Sequence, residues 1–296
     1  MVCLRKACLL TLTLLVRSAK MSLKSEREVG LMAYATLIYT KKDHTAHITL
    51  NRPEVNNIIN QRLAQELEDV CHQVNQDDDI YVVVITGMGG RAFCGGSELE
   101  QLLQSDGTGE TSLVGPKEIG LRHSVTTTIS GVDRPVIAAI NGDALGQGLE
   151  LAMSCDIRLA SSKSQLGFPH VALGLIPMDG GTQWLPRIVG KGKALELILT
   201  ADSISAEEAF EIGLVNKVVA EDSLAAEVEV LVKTIASKGP IALRYAKEAV
   251  NKGLDLTLEQ GLRLEADLYF LLHTTADRTE GIKAFLQKKH PWFKGI

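Results

Sequence analysis

The run Ile-Tyr-Val-Val-Val-Ile-Thr at positions 80–86 constrains this chain more than any other stretch. It is continuously apolar, with no polar alternation to turn one side toward water. It reads as a strand buried on both faces, the mark of an α/β chain. Gly87, Gly89 and Gly90 then break it. Pro135 to Ile140 reads as a second buried strand; Ile157 to Ala160 reads as a further strand and Val215 to Val219 as the last strand.

Ahead of the first run, Thr36–Thr40 and Thr45–Leu50 are β-prone and separated by Lys41-Lys42-Asp43-His44, which predicts a hairpin with a polar turn. Leu63, Leu67, Val70 and Val74 recur at helical spacing, so Gln61–Val74 is expected to be a helix. Leu149–Ser154, Thr182–Val189 and Ala194–Leu199 read as further helices. Ser205 with Glu208 matches a capping box, and Gly213 suits the end of the helix between. Gln101 to Gly120 is polar and aperiodic and reads as a mobile surface segment.

From Asp222 the pattern changes to helices only: Leu224–Ser237, Ile241–Lys252, Leu256–His273 and Asp277–Lys289, separated by Gly239-Pro240 and Gly253. Three regions are therefore expected, an N-terminal extension over 1–30, a β/α core over 31–221 and a helical region over 222–296. In the first, Met1–Lys24 holds Arg5, Lys6, Arg17, Lys20 and Lys24, no acid, and the apolar run Ala7–Val16. That run is too short to span a bilayer. It reads either as a targeting segment or as a start set too early, with Met21 the true first residue.

The formal net charge of -5 argues against a nucleic-acid surface. Five cysteines, Cys3, Cys8, Cys71, Cys94 and Cys155, form no CxxC pair, which argues against a zinc ribbon or a disulfide framework. His44, His47, His72 and His290 show no metal spacing, and no metal is expected.

The candidate chemistry sits in four stretches: 51–57, 92–99, 141–150 and 167–183. Gly95-Gly96 lies a few residues past a buried strand, and Gly146-x-Gly148 lies just past another and opens a helix. Glycines at such points let backbone N–H groups turn outward toward a ligand, and a helix N-terminus adds its positive dipole end. Two N–H groups aimed at one point make an oxyanion hole. Glu150, half a turn into the helix, is placed to move a proton beside it. The plain alternative is that the glycines only serve tight turns.

Read as motifs, these stretches resemble a known family. Asn51-Arg52-Pro53 resembles the opening motif of the crotonase (enoyl-CoA hydratase/isomerase) family. Ala92-Phe93-Cys94-Gly95-Gly96-Ser97-Glu98-Leu99 and Asn141-Gly142-Asp143-Ala144-Leu145-Gly146-Gln147-Gly148-Leu149-Glu150 are similar to its two Gly-rich segments, and Gly180-Gly181-Thr182-Gln183 and Ile204–Asn216 also match. The resemblance runs from about Thr36 to the C-terminus. It implies a spiral of ββα units, a helical trimerisation region, and homotrimers or dimers of trimers. It implies an acyl-CoA substrate bound against Val55, Asn56, Ala92, Cys94, Gly95, Gly96 and Gly146, with no cofactor beyond the coenzyme A of the substrate. Oxyanion donors map onto the N–H groups of Ser97 and Gln147, and the first acid/base carboxylate onto Glu150.

Three positions depart from the family pattern. Gln147 replaces the middle glycine of a triplet; its side chain either points away or closes the pocket. Glu54 stands where a basic residue often lies near the CoA phosphates. His170 replaces the second carboxylate of the simple hydratases, as a proton-transfer group or as a wall residue. Asp179 offers a substitute partner for Glu150, or else caps the helix that opens near Gly180. His123 and Ser124 lie where the family often lines its acyl pocket.

The expected activity is an enoyl-CoA hydratase-type lyase, adding water to an α,β-unsaturated acyl-CoA, with a dienoyl or cyclic substrate in view. Enoyl or dienoyl isomerisation, decarboxylation, thioester hydrolysis and CoA binding without turnover are the alternatives. A cytoplasmic location is expected, or the mitochondrial matrix if residues 1–24 direct import, without stable membrane insertion.

Overall fold

The structure, a computed structural model, describes residues 34–98 and 124–296. The expectations on residues 1–30, on Gln101–Gly120, and on Leu99 and His123 lie outside the described residues.

A six-stranded sheet forms the frame, in the order β1-β2-β3-β5-β7-β10. Its strands are β1 (Leu37–Lys42), β2 (Thr45–Leu50), β3 (Val82–Gly87), β5 (Val136–Ile140), β7 (Ile157–Ser161) and β10 (Lys217–Val219). Only β1 and β2 pair antiparallel, with Leu37 opposite Leu50. Their two-residue turn is Asp43-His44, at φ 46° and 65°. Left-handed backbone at both positions matches the twist of a hairpin, and Asp and His tolerate it better than β-branched residues.

β3 runs parallel between β2 and β5 and is buried on both sides. Val83 and Ile85 enter the main core with Leu63, Leu67 and Val70 of helix α1 (Gln61–Gln76). Val82 and Val84 join a second core with Leu224, Val228 and Val232 of a later helix, α7 (Leu224–Ala236). A helix on each face explains why residues 80–86 needed no polar alternation.

A second sheet of four strands, in the order β4-β6-β8-β9, was not foreseen as strands. β4 (Ala92–Cys94), β6 (Asp143–Leu145), β8 (Gln165–Gly167) and β9 (Ser203–Ser205) have three residues each, too short to show alternation. The chain alternates between the sheets: β5 leads to β6 and helix α3 (Gln147–Ser154), and β7 leads to β8 and helix α4 (Gly181–Val189). This is the expected ββα spiral. The short helix α2 (Val125–Ser130) was also unforeseen, because Val-Thr-Thr-Thr-Ile is poor helix sequence. Tertiary contacts cap it, as described below.

Helices α5 (Lys191–Thr200) and α6 (Ala206–Glu211) follow α4. Ser205 caps α6 by accepting the Glu208 N–H, but only this half of the expected box forms. The Glu208 carboxylate instead meets Lys193 at 2.9 Å. After α7 come α8 (Pro240–Gly253), α9 (Leu258–Leu272) and α10 (Ala276–Leu286). Arg244 of α8 pairs with Asp133 at 2.7 Å, and Lys247 with Asp156 at 2.6 Å. No helix among the described residues is long and apolar enough to cross a membrane.

Candidate active site

The site lies where the short sheet hands over to its helices. Gly146 ends β6 with φ 52° and ψ -125°, a conformation open to glycine and strained for other residues. It turns the chain so that α3 starts at Gln147. Two residues on, α3 passes so close to β4 that a Cβ on Gly148 would run into the Cys94 carbonyl. The two Gly-rich segments thereby lie side by side: a Cβ on Gly96 would sit 3.9 Å from the Gln147 nitrogen.

The first segment is fixed from beneath. Gly95 N–H donates to Asn56 O at 2.9 Å, Ile59 N–H to Gly96 O at 2.7 Å, and Glu98 N–H to Ile59 O at 3.0 Å. Ile59 thus bridges the residues on either side of Ser97 in parallel register. In such a bridge the N–H of the middle residue points the other way. Gln147 opens α3, so its N–H has no intrahelical acceptor. Neither N–H finds an acceptor among the described residues. The buried Asn57 locks the same corner, accepting from Arg52 N–H and donating to the Met88 and Ala92 carbonyls. Val55 and Asn56 lie half-buried beside Gly95, whereas Ala92 and Cys94 turn their side chains into the core. Burial pushes the Cys94 thiol up to about 12, so it is no nucleophile at neutral pH.

Glu150 sits in the first turn of α3 and is 1 % exposed. Its Oε1 accepts the N–H of Asp179 at 3.1 Å and the N–H of Gly181 at 2.7 Å. It therefore caps α4 from outside that helix. Burial raises its carboxyl to about 7, the nearby Asp179 charge adds to the rise, and the two N–H bonds oppose it. A carboxyl poised there is suited to proton transfer near neutral pH.

Asp179 does not cap the helix that opens near Gly180, contrary to one of the two roles expected for it. α4 begins at Gly181 with Gly180 before it and no side-chain cap from Asp179. The Asp179 carboxylate instead accepts Ser124 Oγ at 2.5 Å, Thr126 Oγ1 at 2.9 Å, Val125 N–H at 3.1 Å and Gln147 Nε2 at 2.9 Å. It adds to the N-cap of α2, where Ser124 is the capping residue. Ser124 adds a bond to Thr127 N–H. The Thr126 contact and the N–H groups of Asp179 and Gly181 carried no sequence signal, because they depend on segments more than 25 residues apart in the chain meeting.

His170 stands in the 3-10 turn Pro169–Leu173. Its ring covers the turn at Gly146: a Cβ there would lie 3.4 Å from His170 Cε1. Phe168 stacks beside it at 6.1 Å between centroids. Burial lowers its pKa, which favours the uncharged ring, and Nδ1 finds no partner among the described residues. The Gln147 amide is not turned away. It spans from Ser97 Oγ at 2.7 Å to the Asp179 carboxylate. Glu54 is exposed, and the Arg52 guanidinium pairs with Glu98 at 3.3 Å. Among the described residues no cluster of His, Cys, Asp and Glu suits a metal ion.

Comparison with known proteins places this arrangement. The chain is 42 % identical over 259 residues to a crotonyl-CoA hydratase of Syntrophomonas wolfei, covering 87 % of this chain and 97 % of that protein. It is 36 % identical over 258 residues to a short-chain-enoyl-CoA hydratase of Clostridium acetobutylicum, covering 87 % and 97 %. The crystal structure of an enoyl-CoA hydratase from Bacillus anthracis superposes with a TM-score of 0.81 at 39 % identity, over 88 % of this chain and all of the other. The family model for enoyl-CoA hydratase/isomerase matches residues 40–295. With the ββα spiral, two adjacent Gly-rich turns and a buried carboxyl at the head of α3, the chain belongs to the enoyl-CoA hydratase/isomerase family.

Proposed function

We propose that the protein adds water across the C2=C3 bond of an enoyl-CoA thioester. The observation that carries this is Glu150: a buried carboxyl tuned to about 7, held through one oxygen, beside two outward N–H groups. The N–H groups of Ser97 and Gln147 receive the thioester oxygen and hold the enolate as charge moves onto it. Glu150 takes one proton from water as the water oxygen bonds to C3. The electron pair of the double bond passes to C2 and the thioester oxygen. Glu150 then returns the proton to C2, so the two parts of one water are added and the carboxylate is restored.

We assign the second role, holding that water, to the neutral His170 ring. Asp179 already accepts four hydrogen bonds and serves better as a pillar. Val55, Asn56 and Gly95 form the neighbouring wall for the CoA portion, with Ala92, Cys94, Gly96 and Gly146 supplying backbone. Coenzyme A enters as part of the substrate.

All of these residues fall within 31–221, and we read 222–296 as the assembly region. Leu258, Phe270, Phe285, Leu286 and Trp292 lie exposed there, an apolar surface suited to covering by further copies in a trimer or dimer of trimers. A cytoplasmic location, or the mitochondrial matrix if residues 1–24 direct import, goes with this reading.

The test is turnover of crotonyl-CoA and of longer, dienoyl and cyclic enoyl thioesters in heavy-oxygen water. One heavy oxygen in an intact acyl-CoA is the expected result. Migration of the double bond without oxygen uptake, or release of free acid, refutes it.

A further inference from the structure

We infer that the Gln147 side chain is a positioning residue, a strut that ties the two oxyanion donors to each other and to the loop that holds the base. The inference rests on the reading of Ser97 and Gln147 as those donors.

The same two residues whose N–H groups face outward also join through their side chains. Ser97 Oγ donates to Gln147 Oε1 at 2.7 Å, and Gln147 Nε2 donates to Asp179 Oδ2 at 2.9 Å. The amide orientation is fixed by this pair: a flip would set its oxygen against the Asp179 carboxylate. Asp179 is anchored by Ser124, Val125 and Thr126, and its own N–H donates to Glu150 Oε1. One chain of hydrogen bonds thus runs Ser97–Gln147–Asp179–Glu150, from the oxyanion hole to the base.

A glycine at 147 would leave the two turns joined only by backbone packing. The strut adds a neutral-to-charged hydrogen bond, the stronger kind, in a half-buried setting. It sets the gap between donors whose separation decides how well a developing oxyanion is held. The ionisable groups around the amide are Asp179, Glu150 beyond it, and His170 over Gly146.

Three variants test it: Gln147→Met, which keeps the volume and loses both bonds, Gln147→Gly, and Gln147→Glu. Readouts are kcat and KM on an enoyl-CoA, affinity for the saturated butyryl-CoA, and the ultraviolet band of bound acetoacetyl-CoA enolate. That band reports the two donors without turnover. Gln147→Met and Gln147→Gly are expected to lower kcat roughly ten- to a hundredfold and weaken the enolate band. KM and butyryl-CoA affinity should stay within about threefold, since the backbone donors remain.

Gln147→Glu supplies the sharper reading. Protonated, it accepts from Ser97 and donates to Asp179 as the amide does. Ionised, it faces a like charge. Its kcat relative to wild type should fall as pH rises, while that of Gln147→Met stays flat. Wild-type kcat and enolate band in Gln147→Met, with a folded protein by melting curve, would overturn the strut, as would a Gln147→Glu profile parallel to wild type. If wild type hydrates nothing, the hydratase reading fails, and the enolate band alone decides the strut.

Discussion

In the six-stranded sheet, β3 is held by apolar side chains from both faces, Ile85 against α1 and Val84 against α7. In the four-stranded sheet each strand supplies three residues; Phe93, Ala144, Leu166 and Ile204 join the same main core, and to that are added backbone approach and polar ties: Gly148 against Cys94, Asn57 across to Ala92, Asp179 onto α2. The first is non-directional and tolerant of side-chain exchange at constant volume. The second is directional and fixes atoms within fractions of an ångström. Apolar burial runs through both sheets, and the directional ties gather at the ends of the short one, where we place the chemistry.

The sharpest way to break that contrast is Glu150→Gln. Activity should fall about 10³-fold, as for loss of a general acid/base group, while the melting temperature holds or rises. An amide oxygen still caps α4, and the cost of burying a carboxyl at position 150 is removed. Loss of folding instead would make Glu150 part of the frame.

Ile85→Ala should do the reverse. It removes a fully buried side chain at the frame's centre and is expected to cost about 3 kcal/mol of unfolding free energy. The kcat of the folded fraction should stay within twofold. Denaturant melts with parallel kinetics check both halves.

The pH response sharpens the contrast further. Hydration through the ionised Glu150 should lose about tenfold in rate per pH unit below about 7. Stability runs the other way. A folded-state carboxyl raised from the ordinary 4.5 to about 7 binds protons more readily than the unfolded chain, so wild type should lose stability as pH climbs through that window. The loss is of order 3 kcal/mol, and Glu150→Gln should lack it. Equal slopes in the two proteins would sink this assignment.

Gly148→Ala tests the join between α3 and β4 of the short sheet. The added methyl meets the Cys94 carbonyl, and about 2 kcal/mol of stability should go. Unlike Ile85→Ala it should also lower kcat, since α3 must shift away from the first Gly-rich turn. The smallest effect belongs to Lys41→Met on the frame's edge. Its pairs with Asp77 at 2.6 Å and Asp79 at 3.0 Å are surface contacts, and under about 1 kcal/mol should be lost, less in high salt.

The same contrast explains what could be read in advance. Strands β3 and β5 announced themselves as apolar runs because burial on two faces leaves that trace. β4, β6, β8 and β9 left none: three residues hold no period, and their partners come from distant parts of the chain. The glycines at 146 and 148 and the carboxylate at 150 were legible as a turn and an acid, since glycine spacing carries backbone meaning by itself. The Asp179 contacts that reinforce Ser124 at the start of α2 were not, because Asp179 lies 54 residues from Val125. Asp179 was expected at the neighbouring helix on local spacing, and Glu150 had already taken that place. Gln147 was visible as a departure, but where its amide ends depends on Ser97 and Asp179 both arriving.

That Glu150 caps α4 bears on how such sequences drift over generations. A lineage that stopped needing the reaction would still need an acceptor for the Gly181 N–H. Glutamine meets that need with a single exchange, whereas alanine would strand two buried donors. Descendants that have retired from turnover should therefore carry Gln at this position far more often than Ala, and a Glu there marks a selective demand beyond holding the helix.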